Sequence, residues 1–177
     1  MVRGVRQMSR QKDDFYPTPD IAIRPLLDIE TFDGDVWECA CGNGAISSVL
    51  QDYGYNTVDT DLNDWGYGES RRDFLMEREA LAPNIVTNPP YKLAQQFIQQ
   101  AIDLGVQKHC WLLRLAFLEG VKRFNELFVK NQPSRIYVFS KRVTMWRGDE
   151  EPTGTGTTCY AWFVWEGKSF STEVDWI

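Results

Sequence analysis

Polar and apolar positions along this chain alternate between two patterns. Short strand-like runs occupy residues 36–40, 56–61, 85–88 and 108–113, each the length of a buried strand. The segments between them are spaced for helices. Residues 92–104 give the clearest case. Leu93, Ala94, Phe97, Ile98, Ala101 and Ile102 form one apolar face, glutamines at 95, 96, 99 and 100 take the other, and Gly105 ends the pattern. Thr18 and Pro19 supply a capping hydroxyl and a first-turn proline for a helix running towards Glu30, which Pro25 should bend. Further helices are expected at 45–53, closed by Gly54, at 72–79, short and charged, and at 119–130. Residues 62–72 are irregular, with Gly66 and Gly68. Two long β-rich runs, 135–143 and 158–165, have no helix between them and should pair antiparallel. Strands alternating with helices predict an α/β fold, a mostly parallel sheet with helices on both faces.

Two of these strands end in unusual sequences. After residues 85–87 comes Asn88-Pro89-Pro90-Tyr91. Two prolines can continue neither a strand ladder nor a helix interior, so they stiffen a turn with no amide hydrogens of its own. An amide before that turn and an aromatic ring after it form a socket for a planar amino group, such as the exocyclic nitrogen of a nucleobase. After residues 36–40 comes Cys41-Gly42-Asn43-Gly44-Ala45, opening a helix. Gly42 and Gly44 tolerate positive φ and close ligand approach, and the helix start adds free amides. Ser47 stands where the dinucleotide fingerprint needs a third glycine, which argues against a dinucleotide oxidoreductase. The plainer alternative at the prolines is a rigid connection between strand and helix, and a Gly-x-Gly by itself is a weak signal.

Composition narrows the setting. A chain of 177 residues with 43% hydrophobic content and seven tryptophans is expected to be one domain with a substantial core. No apolar run reaches membrane-spanning length. Residues 1–12 carry Arg3, Arg6, Arg10 and Lys12 without an apolar stretch, so a flexible arm over 1–14 is expected rather than a secretory signal, with a single domain over 15–177. Four cysteines, Cys39, Cys41, Cys110 and Cys159, lack a disulfide-framework spacing, which fits a reduced, cytoplasmic location, and the last two are expected in apolar strands. Cys39 and Cys41 with the single His109 make a poor zinc set, so no metal is expected. The net charge of −6 opposes indiscriminate nucleic-acid binding, yet Arg114, Lys122, Arg123, Lys130, Arg135 and Arg147 make the second half locally basic.

Taken together, these motifs make the chain resemble the S-adenosylmethionine-dependent DNA N6-adenine methyltransferases, in particular the short members of phages and prophages. Phe15-Tyr16-Pro17-Thr18-Pro19 resembles that family's N-terminal cofactor motif, and Glu38 through Ala45 its glycine loop. Asp61, with Asp59 as the competing choice, resembles the acidic end of its second strand, and Asp73-Phe74-Leu75 its adenine-contacting motif. Asn88 to Tyr91 resembles the catalytic motif, and Tyr160 to Trp165 with Asp175-Trp176-Ile177 the ending of the phage-type members. The resemblance implies the class I methyltransferase sheet, seven strands in the order 3-2-1-4-5-7-6 with the seventh reversed, although no run marks the third strand. It implies S-adenosyl-L-methionine as cofactor. Tyr16, Thr18, Pro19, Glu38, Cys39, Gly42, Gly44, Asp61, Asp73, Phe74 and Asn88 would hold it. Asn88, Pro89, Pro90 and Tyr91 would act on the adenine of DNA, flipped out of the helix. No separate target-recognition domain is expected. The loops at 62–72, 117–123 and 144–157 are the candidate substrate contacts, with Trp146 and Arg147 foremost, and a homodimer or partner subunit would fit relaxed specificity. If the chain is phage-encoded, it would work in the bacterial host's cytoplasm. RNA bases and the glutamine amides of release factors present a similar amino nitrogen, so they remain alternatives, as does a non-catalytic partner subunit.

Overall fold

A computed structural model describes residues 17–145 and 158–177. Tyr16, the arm over 1–14, Trp146 and Arg147 lie outside the described residues. The chain forms α1 (Asp20–Ile29), β1 (Val36–Glu38), α2 (Ala45–Asp52), β2 (Thr57–Asp59), β3 (Asn84–Thr87), α3 (Ala94–Asp103), β4 (Lys108–Arg114), α4 (Val121–Arg123), β5 (Arg135–Val138), β6 (Tyr160–Glu166) and β7 (Glu173–Trp176). Beyond α4 the helix widens into π-helical turns over Phe124–Phe128, so the helix expected there is irregular. The charged helix expected at 72–79 shrinks to a 3₁₀ turn, Phe74–Met76.

The seven strands form one sheet in the order β2-β1-β3-β4-β6-β5-β7. β6 runs antiparallel to both β4 and β5, and the other neighbours are parallel. This matches the expected order for six strands, reversed strand included, but not for the third. Outside β2, where that strand belongs, there is only an isolated bridge between Thr60 and Glu69. The intervening residues have no apolar alternation, and Gly66 and Gly68 take positive φ, so the segment folds as a loop. The seventh strand is instead β7, which adds to β5 on the opposite edge.

Alternation along each strand sorts the core into two layers. Trp37, Ile85, Trp111, Leu113, Phe163 and Trp165 face α3 and the π-helical segment. Val36, Val86, Leu112, Tyr137, Trp162 and Val164 face α1 and α2. Helices thus cover both faces, and the strand ends are left to carry function. Cys39, Cys41 and Cys110 are buried free thiols, but Cys159 is exposed, one residue before β6, because that strand starts later than expected. Among the described residues no helix is long and apolar enough to cross a membrane, and no cluster of side chains could hold a metal ion.

Candidate active site

A cleft of about 170 Å³ opens at the carboxyl ends of β1, β2 and β3. The strand order reverses there, between β1 and β3, and such switch points are where open α/β sheets bind ligands. Thr18, Glu38, Cys39, Gly42, Asp61, Asp73, Phe74 and the whole Asn88 to Tyr91 turn line it. The structure therefore gathers residues from five separate motifs around one space.

Asn88 is the best-defined of them. Its Nδ2 donates to Thr18 Oγ1 at 3.0 Å, which fixes the amide so that Oδ1 is the acceptor left over. Asn88 Oδ1 is buried and has no hydrogen-bond partner among the described residues, and the same holds for Thr87 Oγ1 and Tyr91 Oη. Buried polar atoms are normally paired, so the unpartnered Asn88 and Tyr91 atoms, both on residues lining the cleft, mark a place suited to another molecule's polar groups. The Tyr91 ring lies 5.9 Å from the Tyr160 ring at 39°, and the Arg114 guanidinium sits 4.9 Å over it. Burial pushes the Tyr91 hydroxyl well above its ordinary value, so it stays protonated.

Thr18 was expected to cap α1. The N-cap is Pro19, one residue later, and it makes no side-chain cap. The hydroxyl is free for Asn88 because the helix starts beyond it. Pro19 does not line the cleft; its carbonyl accepts from Ala22 N at 2.8 Å.

Glu38 ends β1 and is 1% exposed. Its Oε1 accepts from Ala40 N at 3.2 Å. Burial raises its carboxyl to about 8; the Thr87 hydroxyl beside it and the Ala40 amide oppose the rise, and Asp59 and Asp61 add to it. Such an acid is largely neutral at pH 7 and ionises more readily when a cation approaches. Asp61 Oδ2 accepts from Gly42 N at 2.9 Å and its Oδ1 from Asn63 N at 2.8 Å, so it braces the glycine loop from within the cleft. Asp59, the competing choice, points elsewhere. It accepts from Ser47 at 2.5 Å and Thr57 at 2.8 Å, outside the cleft.

Asp73 lines the cleft while capping the 3₁₀ turn, its Oδ1 accepting from Leu75 N at 3.0 Å. Phe74 is 2% exposed and packs 5.1 Å from Trp37 and 4.9 Å from Phe97, presenting little surface to the cleft. Gly44 takes φ +82°, and a Cβ there would meet the Tyr67 ring at 2.6 Å, so this glycine makes room for Tyr67; it does not itself line the cleft. Arg72 is a cleft residue the sequence did not single out. Glu77 holds it in a fork at 2.9 and 2.7 Å and Glu69 at 3.1 Å. Its position beside Asp73 was the available signal.

No protein-family model and no curated protein sequence matches the chain. Solved structures do match its fold. A modification subunit assigned to a type I restriction enzyme of Vibrio vulnificus superposes with a TM-score of 0.59 at 12% identity, over 94% of this chain and 48% of that one. A TehB-like SAM-dependent methyltransferase from Corynebacterium glutamicum gives 0.53 at 13%, over 84% and 87%. The magnesium protoporphyrin IX methyltransferase of Synechocystis, solved with SAM bound, gives 0.54 at 13%, over 83% and 77%. The fold is the class I methyltransferase fold. The chain spans about half the length of the Vibrio subunit.

Proposed function

We propose that this protein transfers a methyl group from S-adenosyl-L-methionine to the exocyclic N6 of adenine in DNA. One observation carries the reading: Asn88, its amide nitrogen held by Thr18 and its buried oxygen without a partner among the described residues, lines a cleft at the switch point of a methyltransferase fold.

The residues present fit the cofactor. Glu38, a buried carboxyl with a single backbone donor and a value near 8, suits an amino acid ammonium. Asp61 keeps lone pairs for ribose hydroxyls while holding the Gly42 amide, and Asp73 can accept from an adenine amino group beside Phe74. S-adenosylmethionine supplies an electrophilic methyl group on a sulfonium.

The adenine amino nitrogen is a weak nucleophile because its lone pair is delocalised into the ring. Asn88 Oδ1 accepts one of its hydrogens and the Pro89 carbonyl the other. Held this way, the nitrogen becomes more tetrahedral and its lone pair localises. Tyr91 stacks on the base, which must leave the duplex to reach the turn. Catalysis is then largely positioning, with no covalent enzyme intermediate. The assignment of the Vibrio protein as the modification subunit of a type I restriction enzyme is consistent with a nucleic-acid substrate.

The test is methyl transfer from labelled S-adenosylmethionine to unmethylated DNA, followed by mass spectrometry of the nucleosides. N6-methyladenine is expected. No modified nucleoside, with cofactor binding intact, would contradict the reading, and label in RNA or in a protein amide would replace the substrate.

A further inference from the structure

We infer that Arg114 is a binding residue for a phosphodiester of the strand that carries the target base; the inference deepens the proposed function and rests on it. Arg114 is the last residue of β4, at the carboxyl end of the sheet where the cleft opens. It is exposed, while the six residues before it in the strand are buried. In the β4–β6 ladder Arg114 stands opposite Tyr160, and directly opposed residues project to the same face of a sheet. Both meet Tyr91: the Tyr160 ring at 5.9 Å and the Arg114 guanidinium at 4.9 Å from the ring centre.

Three features suit this group to a phosphate. Among the described residues no carboxylate lies within salt-bridge distance of it, whereas Arg24, Arg72 and Arg135 are all paired with acids. The cation–π contact with Tyr91 holds the guanidinium in place, so less side-chain freedom is lost when it engages an anion. A guanidinium also presents a planar fork that matches two phosphate oxygens. Lys92, next to Tyr91 in the chain, is a second exposed cation with no paired acid among the described residues. The cleft itself is lined by Asp61 and Asp73, so its interior disfavours phosphates, while Arg114, outside its wall over the Tyr91 ring, attracts them. A nucleotide chain would thus be held at the rim with only a neutral base admitted. A glutamine amide of a protein substrate would give Arg114 no such partner.

The experiment is binding of a fluorescent adenine-containing DNA oligonucleotide, followed by anisotropy across a salt series, for wild type, Arg114→Gln and Arg114→Lys. Thermal melting and cofactor titration check that each variant is folded. Arg114→Gln is expected to bind roughly tenfold more weakly, and its log affinity should fall with log salt on a slope shallower by about 0.7 to 0.9, one phosphate contact. Arg114→Lys should restore the slope but only part of the affinity. Equal affinity and slope in Arg114→Gln, or no binding by wild type, overturns the inference. Arg114-dependent binding without any N6-methyladenine in the digest would instead overturn the adenine reading and leave the phosphate contact standing.

Discussion

Glu30 and Glu38 are both buried, 4% and 1% exposed, at opposite ends of the same sheet, and their surroundings are opposite in kind. Glu30 sits where β4 and β5 begin. Arg135 donates to it in a fork at 2.5 and 3.1 Å, Tyr137 donates at 2.7 Å, and the Lys108 ammonium touches it. Lys108 in turn donates to Thr31 O at 2.9 Å and lies over Phe32. Burial alone would raise the Glu30 carboxyl, but these donors outweigh it and hold it below its ordinary range. Glu38 has one backbone donor, and burial raises it to about 8. Its neighbour Asn88 carries an oxygen with no hydrogen-bond partner among the described residues. Two buried carboxylates thus mark the contrast between the two ends of the sheet. Polar groups are satisfied at one end and left for another molecule at the other.

The sharpest way to break this contrast is Lys108→Ala. It strips a donor from a buried carboxylate and should cost about 3–5 kcal/mol of unfolding free energy in urea. A loss under about 1 kcal/mol would mean the network is not structural. Glu38→Gln should do the reverse. The folded protein keeps a proton on Glu38 up to about pH 8, whereas the unfolded chain gives it up near 4.5, so this carboxyl lowers stability progressively as pH rises between those values. Gln removes that dependence and should stabilise by about 1–3 kcal/mol at pH 7, while weakening cofactor binding and abolishing the proton release that calorimetry should detect with wild type. Glu30 acts with the opposite sign. Its contribution is present above the ordinary value of 4.5 and is lost as pH falls through its lowered folded value, so acid unfolding should move to higher pH in Glu30→Gln. The smallest effect is Gly44→Ala, about 1–2 kcal/mol, from the positive φ and the displaced Tyr67 ring.

Much of this contrast was legible in the sequence, because strands and helices each impose a local period. Trp111, Leu112 and Leu113 lie in an apolar run whose alternation assigns them to two layers, and the face of α3 was plain from its spacing. β7 was missed because its four residues are all exposed and leave no pattern. The third strand was expected from resemblance alone, and the glycines at 66 and 68 prevent it. That Asn88, Glu38 and Asp61 share one cleft was legible because each terminates or follows a strand. Thr18 was given the wrong local role. Its bond to Asn88 spans 70 positions, and no local signal announces a contact that distant. The packing of Tyr67 on Gly44 across the loop was likewise invisible to local pattern.

The most direct measurement is on Asn88→Ala, reading unfolding free energy, cofactor affinity and methyl-transfer rate on the same preparation. The Asn88 oxygen makes no bond within the fold, so stability should fall only by about 1 kcal/mol, the share of the Nδ2–Thr18 hydrogen bond, and cofactor binding should stay near wild type while the transfer rate falls by roughly 10²–10³ or more. Transfer near the wild-type rate, or a loss of stability as large as that of Lys108→Ala, would contradict the assignment of this end of the sheet to chemistry.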